Sequence, residues 1–425
     1  MSNNILINRN FTLIWIGQLI SQIGDKFYAI ALAWWILQKS NSPSIMGLFM
    51  AASVLPGLLL GPVAGGLIDR GNRKTIMVAA DFLRGALVLA AALLSCRGSL
   101  QIWHIFGVGV IISMATAFFN PTVATVLPRI VPPDNLTRAN ALSQLVSGFT
   151  TVLGPIAGAG VMAFAGLGAV FLTNGVSFFV SGGLIMLLDR NLRPLRRAEA
   201  GLAADIGAGL HFVIKSRKVL IILMVICLAH LYVGSLAVAM PFLARQLAGK
   251  GVRNLGLLET AIGAGMMLSA LALNRKKRQH IGDAWLFTAM MLMGVSLIVA
   301  SLIIALGVDA VAPFMGLTAL VGLAVAVASV YWQSLLQANV PNAMAGRVFS
   351  IAGTLGNATL PMAYMVFGIL LGSFSLSAIL GFCGAGLVTV CYILGRIFGK
   401  ASWAAPSLLP TDPDPYGEHG HHPSV

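Results

Sequence analysis

Charge is what this chain has least of. Of its 425 residues only 9% are Asp, Glu, Lys or Arg, against 58% hydrophobic, and the mean hydropathy is +0.89. A soluble domain carries about 25% charged residues. So sparse a set cannot cover a water-facing surface of this size, which excludes an ordinary soluble domain and makes lipid the natural solvent. Cysteine is scarce as well. Cys96, Cys227, Cys383 and Cys391 are scattered, mostly inside apolar runs, with neither a disulfide framework nor zinc-site spacing, so they read as packing residues. Also missing are a nucleophile–base pair, a metal cluster and a phosphate-cradling loop. His104, His211, His230 and His280 fall on separate elements. No enzyme activity, cofactor or metal site is expected. Met1–Asn10 is short and polar and the first apolar run is long, unlike a signal peptide.

Bases outnumber acids, 27 to 13. That excess raises nucleic acid as a partner, but the bases lie in short loops between apolar runs, the pattern that orients a chain in a membrane. A span needs about 20 mostly apolar residues. Twelve stretches qualify: 11–37, 44–68, 75–95, 102–127, 140–165, 167–188, 219–243, 255–274, 284–306, 310–337, 349–371 and 374–397. The loops on one side hold 20 Lys and Arg and those on the other hold 5 (Lys39, Arg97, Arg245, Lys250 and Arg253). The asymmetry predicts both termini on the cytoplasmic side.

Residues 189–218 form the longest and most basic loop and divide six spans from six. The expected organisation is therefore 1–188, a basic linker 189–218, 219–400 and a tail 401–425. The linker's centre, Glu199–Val213, reads either as an amphipathic helix on the membrane face or as a disordered connector. The tail has no apolar period and reads as disordered, with His419, His421 and His422 carrying no function in transport. The halves echo one another. Asp69–Arg73 recurs as Asn274–Arg278, Val131-Pro132 with Arg138 recurs as Val340-Pro341 with Arg347, and Pro155 recurs as Pro361. The offsets are 205, 209 and 206. A parallel repeat of six helices predicts a path near the axis between the halves.

Two signatures narrow the class. Gly66-x-x-Asp69-Arg70-x-x-Arg73-Lys74 joins the second span to the third, and its glycines suggest a tight turn. It resembles the loop signature of major facilitator superfamily transporters. That resemblance implies an all-α membrane protein of twelve helices in two pseudo-twofold-related six-helix bundles, with alternating access to a central cavity. Ser147-Gly148…Gly154-Pro155-x-x-Gly158 resembles the fifth-helix signature of that superfamily's drug antiporters, a group associated with export. Packing glycines are the plainer reading of the same residues. Gly57, Gly61 and Gly65 make a similar stripe in the second span. Gly17-Gln18-x-x-Ser21-x-x-Gly24-Asp25, Asp81-x-x-Arg84-Gly85, Asn120-Pro121, Ser177-Phe178 and Gln337-x-x-Val340-Pro341 through Gly346-Arg347-Val348 are similar to bacterial macrolide-efflux and enterobactin-export permeases. That branch often has an acid where Asn174 stands.

An ionisable side chain deep in a bilayer costs about 2.5–3.5 kcal/mol on insertion scales, so it faces protein or water. Asp25 lies mid-span. Gln18, Ser21, Gln22, Asp25 and Tyr28 form one polar stripe that would line an aqueous cavity. Lys26 points about 100° away from Asp25 and would meet Gln22 or an acceptor on another helix. Asp25 is the expected proton-coupling site; a fixed Asp25–cation lock is the other reading. Burial and a neighbouring cation act on its protonation in opposite senses. Asp81 and Arg84, three apart, read as a structural gate that pairs internally or reaches the Asp69 loop. Glu259 reads as an exposed or interfacial acid. Weaker cavity candidates are Asn120, Gln144, Asn174, His230, Tyr331, Gln333, Gln337 and Asn357, each also readable as an interhelical hydrogen-bonding residue.

The resulting expectation is a secondary active exporter in a bacterial inner membrane. It would move a small organic molecule outward against proton entry, and the resemblance implies drugs or siderophore-like metabolites. The partners are that substrate, protons and the lipid bilayer, without nucleic acid; the family implies a monomer. A lipid or lysolipid flippase of the same fold and a non-transporting membrane sensor are the alternatives.

Overall fold

A computed structural model describes residues 7–188, 202–275 and 283–400; a few side chains within these, including that of Asp69, are outside the description. Residues 189–201 of the basic linker and the tail 401–425, with its three histidines, also lie outside it. The described residues are helical and contain no strand. The helices are α1 (Arg9–Ser40), α2 (Pro43–Ala52), α3 (Leu55–Arg70), α4 (Arg73–Cys96), α5 (Ile102–Ile130), α6 (Leu136–Met186), α7 (Leu202–Lys215), α8 (Arg217–Gln246), α9 (Gly251–Arg275), α10 (Asp283–Ala305), α11 (Val311–Asn339), α12 (Asn342–Ser373) and α13 (Leu376–Lys400). Among the described residues, ten helices are long and apolar enough to cross a membrane. The helix α1, with its polar middle, is not among the ten, and α6 is counted once although it turns back at Gly166.

Local chemistry explains the breaks. Gly166 has φ 78° and ψ −179°, backbone that only glycine adopts readily, so the 51 residues of α6 are two helices meeting there. The expected second span, 44–68, is not one helix. Pro56 has no N–H to continue the ladder, and the chain unwinds between Ala52 and Leu55. The Gly57 N–H, freed at that break, donates to Ser113 Oγ of α5 at 3.0 Å. The tight turn also falls later than the sequence suggested. The helix α3 runs through Gly65 and Gly66 to Arg70, and the turn is Gly71-Asn72, with Asn72 Oδ1 accepting from the Lys74 N–H.

The helices from α1 to α6 pack mainly among themselves, as do those from α8 to α13. The two sets use matching pairs: α1 with the first part of α6 as α8 with α12, α4 with α5 as α10 with α11, and α3 with α5 as α9 with α11. The repeat extends to individual hydrogen bonds. Pro132 and Pro341 share φ −57° and ψ 145°, and each carbonyl accepts from the N–H three residues on, at 2.9 Å. Gly98 (φ 68°) and Gly307 (φ 74°) end α4 and α10. Each N–H bonds three residues back and the next N–H bonds five back, the left-handed glycine cap. The linker helix α7 packs against α12 and α8, burying Phe212 and Val213.

Two seams join the sets. In one, α2 meets α12: the Gly47 Cα faces the Tyr364 carbonyl and Gly368, and Ser44 Oγ donates to the Gly368 carbonyl at 3.2 Å. In the other, α6 meets α9: a Cβ on Gly263 would lie 2.6 Å from the Thr151 carbonyl and one on Gly256 3.0 Å from the Pro155 carbonyl. Both close at the end of the molecule that carries residues 41–43 and 246–251, where Arg245 also bonds Asn41 and Trp34 covers Gly251. The other end is splayed. Gly61, Gly65 and Gly66 on α3, Gly148 on α6 and Gly346 and Gly353 on α12 have nothing within 4 Å of an added Cβ, and Leu145, Phe149 and Leu355 are exposed. The glycine stripe expected at 57, 61 and 65 is therefore a packing surface only at Gly57.

Candidate functional site

Asp25 and the bare glycine strip of α1 are turned toward the second part of α6. Glycine makes this possible: a Cβ on Gly24 would lie 2.5 Å from Asn174 Oδ1 and from Ser177 Oγ, and one on Gly17 would lie 3.1 Å from Ser181 Oγ. The seven-residue spacing of Gly17 and Gly24 matches that of Asn174 and Ser181, so a bare strip of α1 lies on a polar strip of α6. On the opposite flank of the same helix, Gly175 and Gly182 admit Leu89 and Phe82 of α4.

Asp25 is half-buried and faces Asn174. Ser177 Oγ donates to the Asn174 backbone carbonyl at 2.7 Å and lies 3.3 Å from its Oδ1. That leaves the Asn174 amide Nδ2, buried and without a partner at ordinary hydrogen-bond length among the described residues, as the donor turned toward the carboxylate. Tyr28 stands beside Asp25, its ring 5.3 Å from Phe171 and its hydroxyl buried without a partner among the described residues. Ser21 is buried, and Gln18 and Gln22 are half-exposed further round the helix.

Two turns along α6, Asp81 and Arg84 of α4 pair with each other and are almost fully buried. The Arg84 guanidinium lies between two rings, 4.3 Å from the centroid of Phe119 and 4.5 Å from that of Phe178. Ser181 faces Asp81, yet neither Ser181 Oγ nor Asp81 Oδ2 has a partner at ordinary length among the described residues. The charges of Asp25, Asp81 and Arg84 act on one another. The first helix set thus encloses a polar string, Asp25–Asn174–Ser181–Asp81–Arg84, walled by Phe119, Phe171 and Phe178. Buried charges persist in such a wall only when paired. The pair Asp81–Arg84 supplies that here, and the alternative contact with the Asp69 loop falls on a side chain outside the described residues.

The loop signature is anchored locally. Arg73 is buried and its Nε donates to Thr125 Oγ1 at 3.0 Å, while Lys74 Nζ donates to the Leu188 carbonyl at 2.8 Å. Arg70 ends α3. The fifth-helix glycines are contact points: Gly154 lies under the Lys26 stem and Gly158 under Phe27 Cα, with Pro155 beside the α9 seam. Arg347, in the first turn of α12, reaches Met344 Sδ at 3.5 Å.

The remaining candidates divide. Asn120, Gln144, Gln333, Gln337 and Asn357 are exposed. Asn174 is buried in the polar string. Tyr331 is buried inside the second set with its ring stacked 6.2 Å from Trp285, away from the space between the sets. His230 Nδ1 bonds the Ile226 carbonyl of its own helix at 2.9 Å and packs on Gly356. Glu259, read from the sequence as an exposed or interfacial acid, stands instead half-buried on the seam side of α9, where its charge acts on Lys26 and on the Tyr364 hydroxyl. A signal for it was present: Gly256-x-x-Glu259-x-x-x-Gly263 sets an acid on the face of a helix that two glycines hold against a neighbour.

Known proteins fit this architecture. Macrolide efflux protein A of Streptococcus pyogenes is 26% identical over 373 residues, covering 84% of this chain and 88% of its own. Multidrug resistance protein MdtG of Klebsiella pneumoniae is 26% identical over 426 residues, covering 96% of each. The solved structure of a bacterial homologue of the iron transporter ferroportin, in an inward-facing state, superimposes with a TM-score of 0.72 at 18% identity. It covers 92% of this chain and 99% of that one, a likeness of fold. The family model of the Major Facilitator Superfamily matches residues 14–363, and the chain belongs to that superfamily of membrane transporters.

Proposed function

We propose that the protein exports small organic molecules across a bacterial inner membrane by alternating access, driven by proton entry. The chain crosses the membrane twelve times, α1 and the second part of α6 adding to the ten apolar helices. Residues 1–188 and 219–400 move as two bundles, 189–218 links them, and both termini are cytoplasmic. One observation carries this reading: the seams are closed at one end, while at the other Gly61, Gly65, Gly148 and Gly353 stand without neighbours. The splayed end is the basic one, with Arg70, Arg73, Lys74, Arg129, Arg138 and Arg347. Basic loops face the cytoplasm, so this conformation receives its substrate from inside the cell. The gating residues are the loop signature and the Asp81–Arg84 pair.

The relatives named for macrolide efflux and multidrug resistance support drug-like molecules as substrates ahead of siderophore-like metabolites. Asp25 is the coupling group. It sits on a string of polar side chains inside the first bundle, and a proton arriving there removes the negative charge that the Asn174 amide faces. Transport into inverted membrane vesicles is the test, with erythromycin as probe. Proton-driven antiport requires accumulation that an uncoupler abolishes; accumulation indifferent to the uncoupler sinks the coupling. Reporter fusions at Gly98 and Gln279 test the topology, and a cytoplasmic Gly98 ends it.

A further inference from the structure

The two helix sets bring opposite charges to one place that the polar string of α1 and α6 does not include. The Lys26 stem lies along α6: a Cβ on Gly154 would be 2.5 Å from Lys26 Cβ and 2.9 Å from its Cγ. On α9, Glu259 stands between Gly256 and Gly263, which close on Pro155 and Thr151 of that same stretch of α6. Lys26 and Glu259 therefore flank one turn of α6 from opposite sets. Their charges act on each other, but among the described residues no hydrogen bond or ion pair holds either head group. Tyr364 of α12, half-buried, is near enough for its hydroxyl to feel the same carboxylate.

Two charges kept in an apolar protein interior without a fixed partner are expensive, and ionisable groups there mark ligand paths. A carboxylate without a fixed partner there is a receptor for an ammonium group, which gains a charge-assisted ion pair. A lysine, on its four-carbon stem, is an ammonium that the protein itself supplies. Because it belongs to the opposite set, rocking of the two sets changes its reach to Glu259.

We propose that Glu259 binds a protonated amine of the exported molecule, and that Lys26 is the resident ammonium which this amine displaces and which later evicts it. The inference rests on the export reading above and names its substrate class as amphipathic amines. Glu259 is the binding residue; Lys26 is a competitor.

The test uses the full-length protein in lipid nanodiscs with two probes. One is erythromycin, whose sugar carries a tertiary amine. The other is its N-demethyl-N-acetyl derivative, in which that nitrogen is an uncharged amide. Loss of one charge-assisted contact weakens binding about 10–100-fold, and that is the loss expected for erythromycin with Glu259→Gln. Glu259→Asp keeps most of the affinity. Lys26→Gln has the opposite sign and tightens erythromycin binding, by about tenfold if the two ammonium groups compete directly. The amide binds weakly and alike to all variants. Opposite signs at the two positions separate competition from a structural lock, and monodisperse elution checks that each variant folds. Weakening by Lys26→Gln, or an unchanged affinity with Glu259→Gln, overturns the inference. Binding of both probes regardless of either substitution overturns it alone and leaves export standing. Binding of neither probe by the unsubstituted protein overturns the drug reading and this inference with it.

Discussion

A carboxylate inside a membrane protein is defined by what faces it. Asp25 faces an amide, whereas Asp81 holds a guanidinium. The two acids should therefore fail differently. Asp25→Asn removes a titrating group but leaves the packing of α1 on α6, so the protein should fold, bind its substrate and lose uncoupler-sensitive transport. Retained proton-driven transport in that variant would remove Asp25 from coupling. Asp81→Asn leaves Arg84 buried without its counter-charge between two phenyl rings. Removing one partner of such a pair costs about 3–5 kcal/mol, read as a lower unfolding temperature of the purified protein, and Asp81→Asn with Arg84→Met should recover part of it. No recovery would mean that the pair is not the source of the loss. The stripe 18, 21, 22, 25 and 28 was legible from helical spacing alone. Its target was not, because the helix that receives it lies about 150 residues further along the chain. The half-buried placing of Glu259 was hidden for the same reason: a residue near the end of a span looks interfacial until the neighbours of its helix are known.

At the scale of the element, glycine decides which helices touch. Gly24 is the sharpest case. An alanine there would press on Asn174 Oδ1 and Ser177 Oγ, both buried among side chains with little room to yield. Gly24→Ala should turn the amide away from Asp25 and impair proton-driven transport with little loss of protein from the membrane. Normal transport would show that the amide position is unimportant. Gly263→Leu tests a different contact. It lies on a seam between the sets, so each set should still fold, while the closed end is wedged apart and export falls; full export would contradict the rocking of two bundles. Where helices end was largely readable, since prolines and loop bases bracket them. The break in the second span was harder, since it depends on Ser113, in another helix, accepting the freed Gly57 N–H. The paired caps at Gly98 and Gly307 extend the repeat through backbone conformation, which the surrounding side chains do not spell out.

Across the whole molecule the two ends differ, and the transport reading turns on that difference. Single cysteines report it. In an otherwise cysteine-free variant, Phe149→Cys and Thr354→Cys, at exposed positions toward the splayed end, should react with a water-soluble maleimide in inverted vesicles. In right-side-out vesicles Thr260→Cys, at a position whose hydroxyl is buried on the α9 face that meets α6, should react poorly until substrate or a proton gradient shifts the equilibrium. Equal labelling at both ends in every condition would contradict a two-state path.

Composition, the spacing of apolar runs and the placement of bases determine that this chain lives in lipid as two repeated sets of helices, because those properties depend only on neighbours in sequence. The shared offsets near 206 already implied a pseudo-twofold. Which groups meet across it was decided by tertiary structure. The Asp25–Asn174 approach, the Asp81–Arg84 pair between Phe119 and Phe178, and the placing of Lys26 and Glu259 about one stretch of α6 all depend on how helices distant in the chain rotate and tilt against one another. Glycine contacts set that rotation, and the sequence records a glycine without recording its partner.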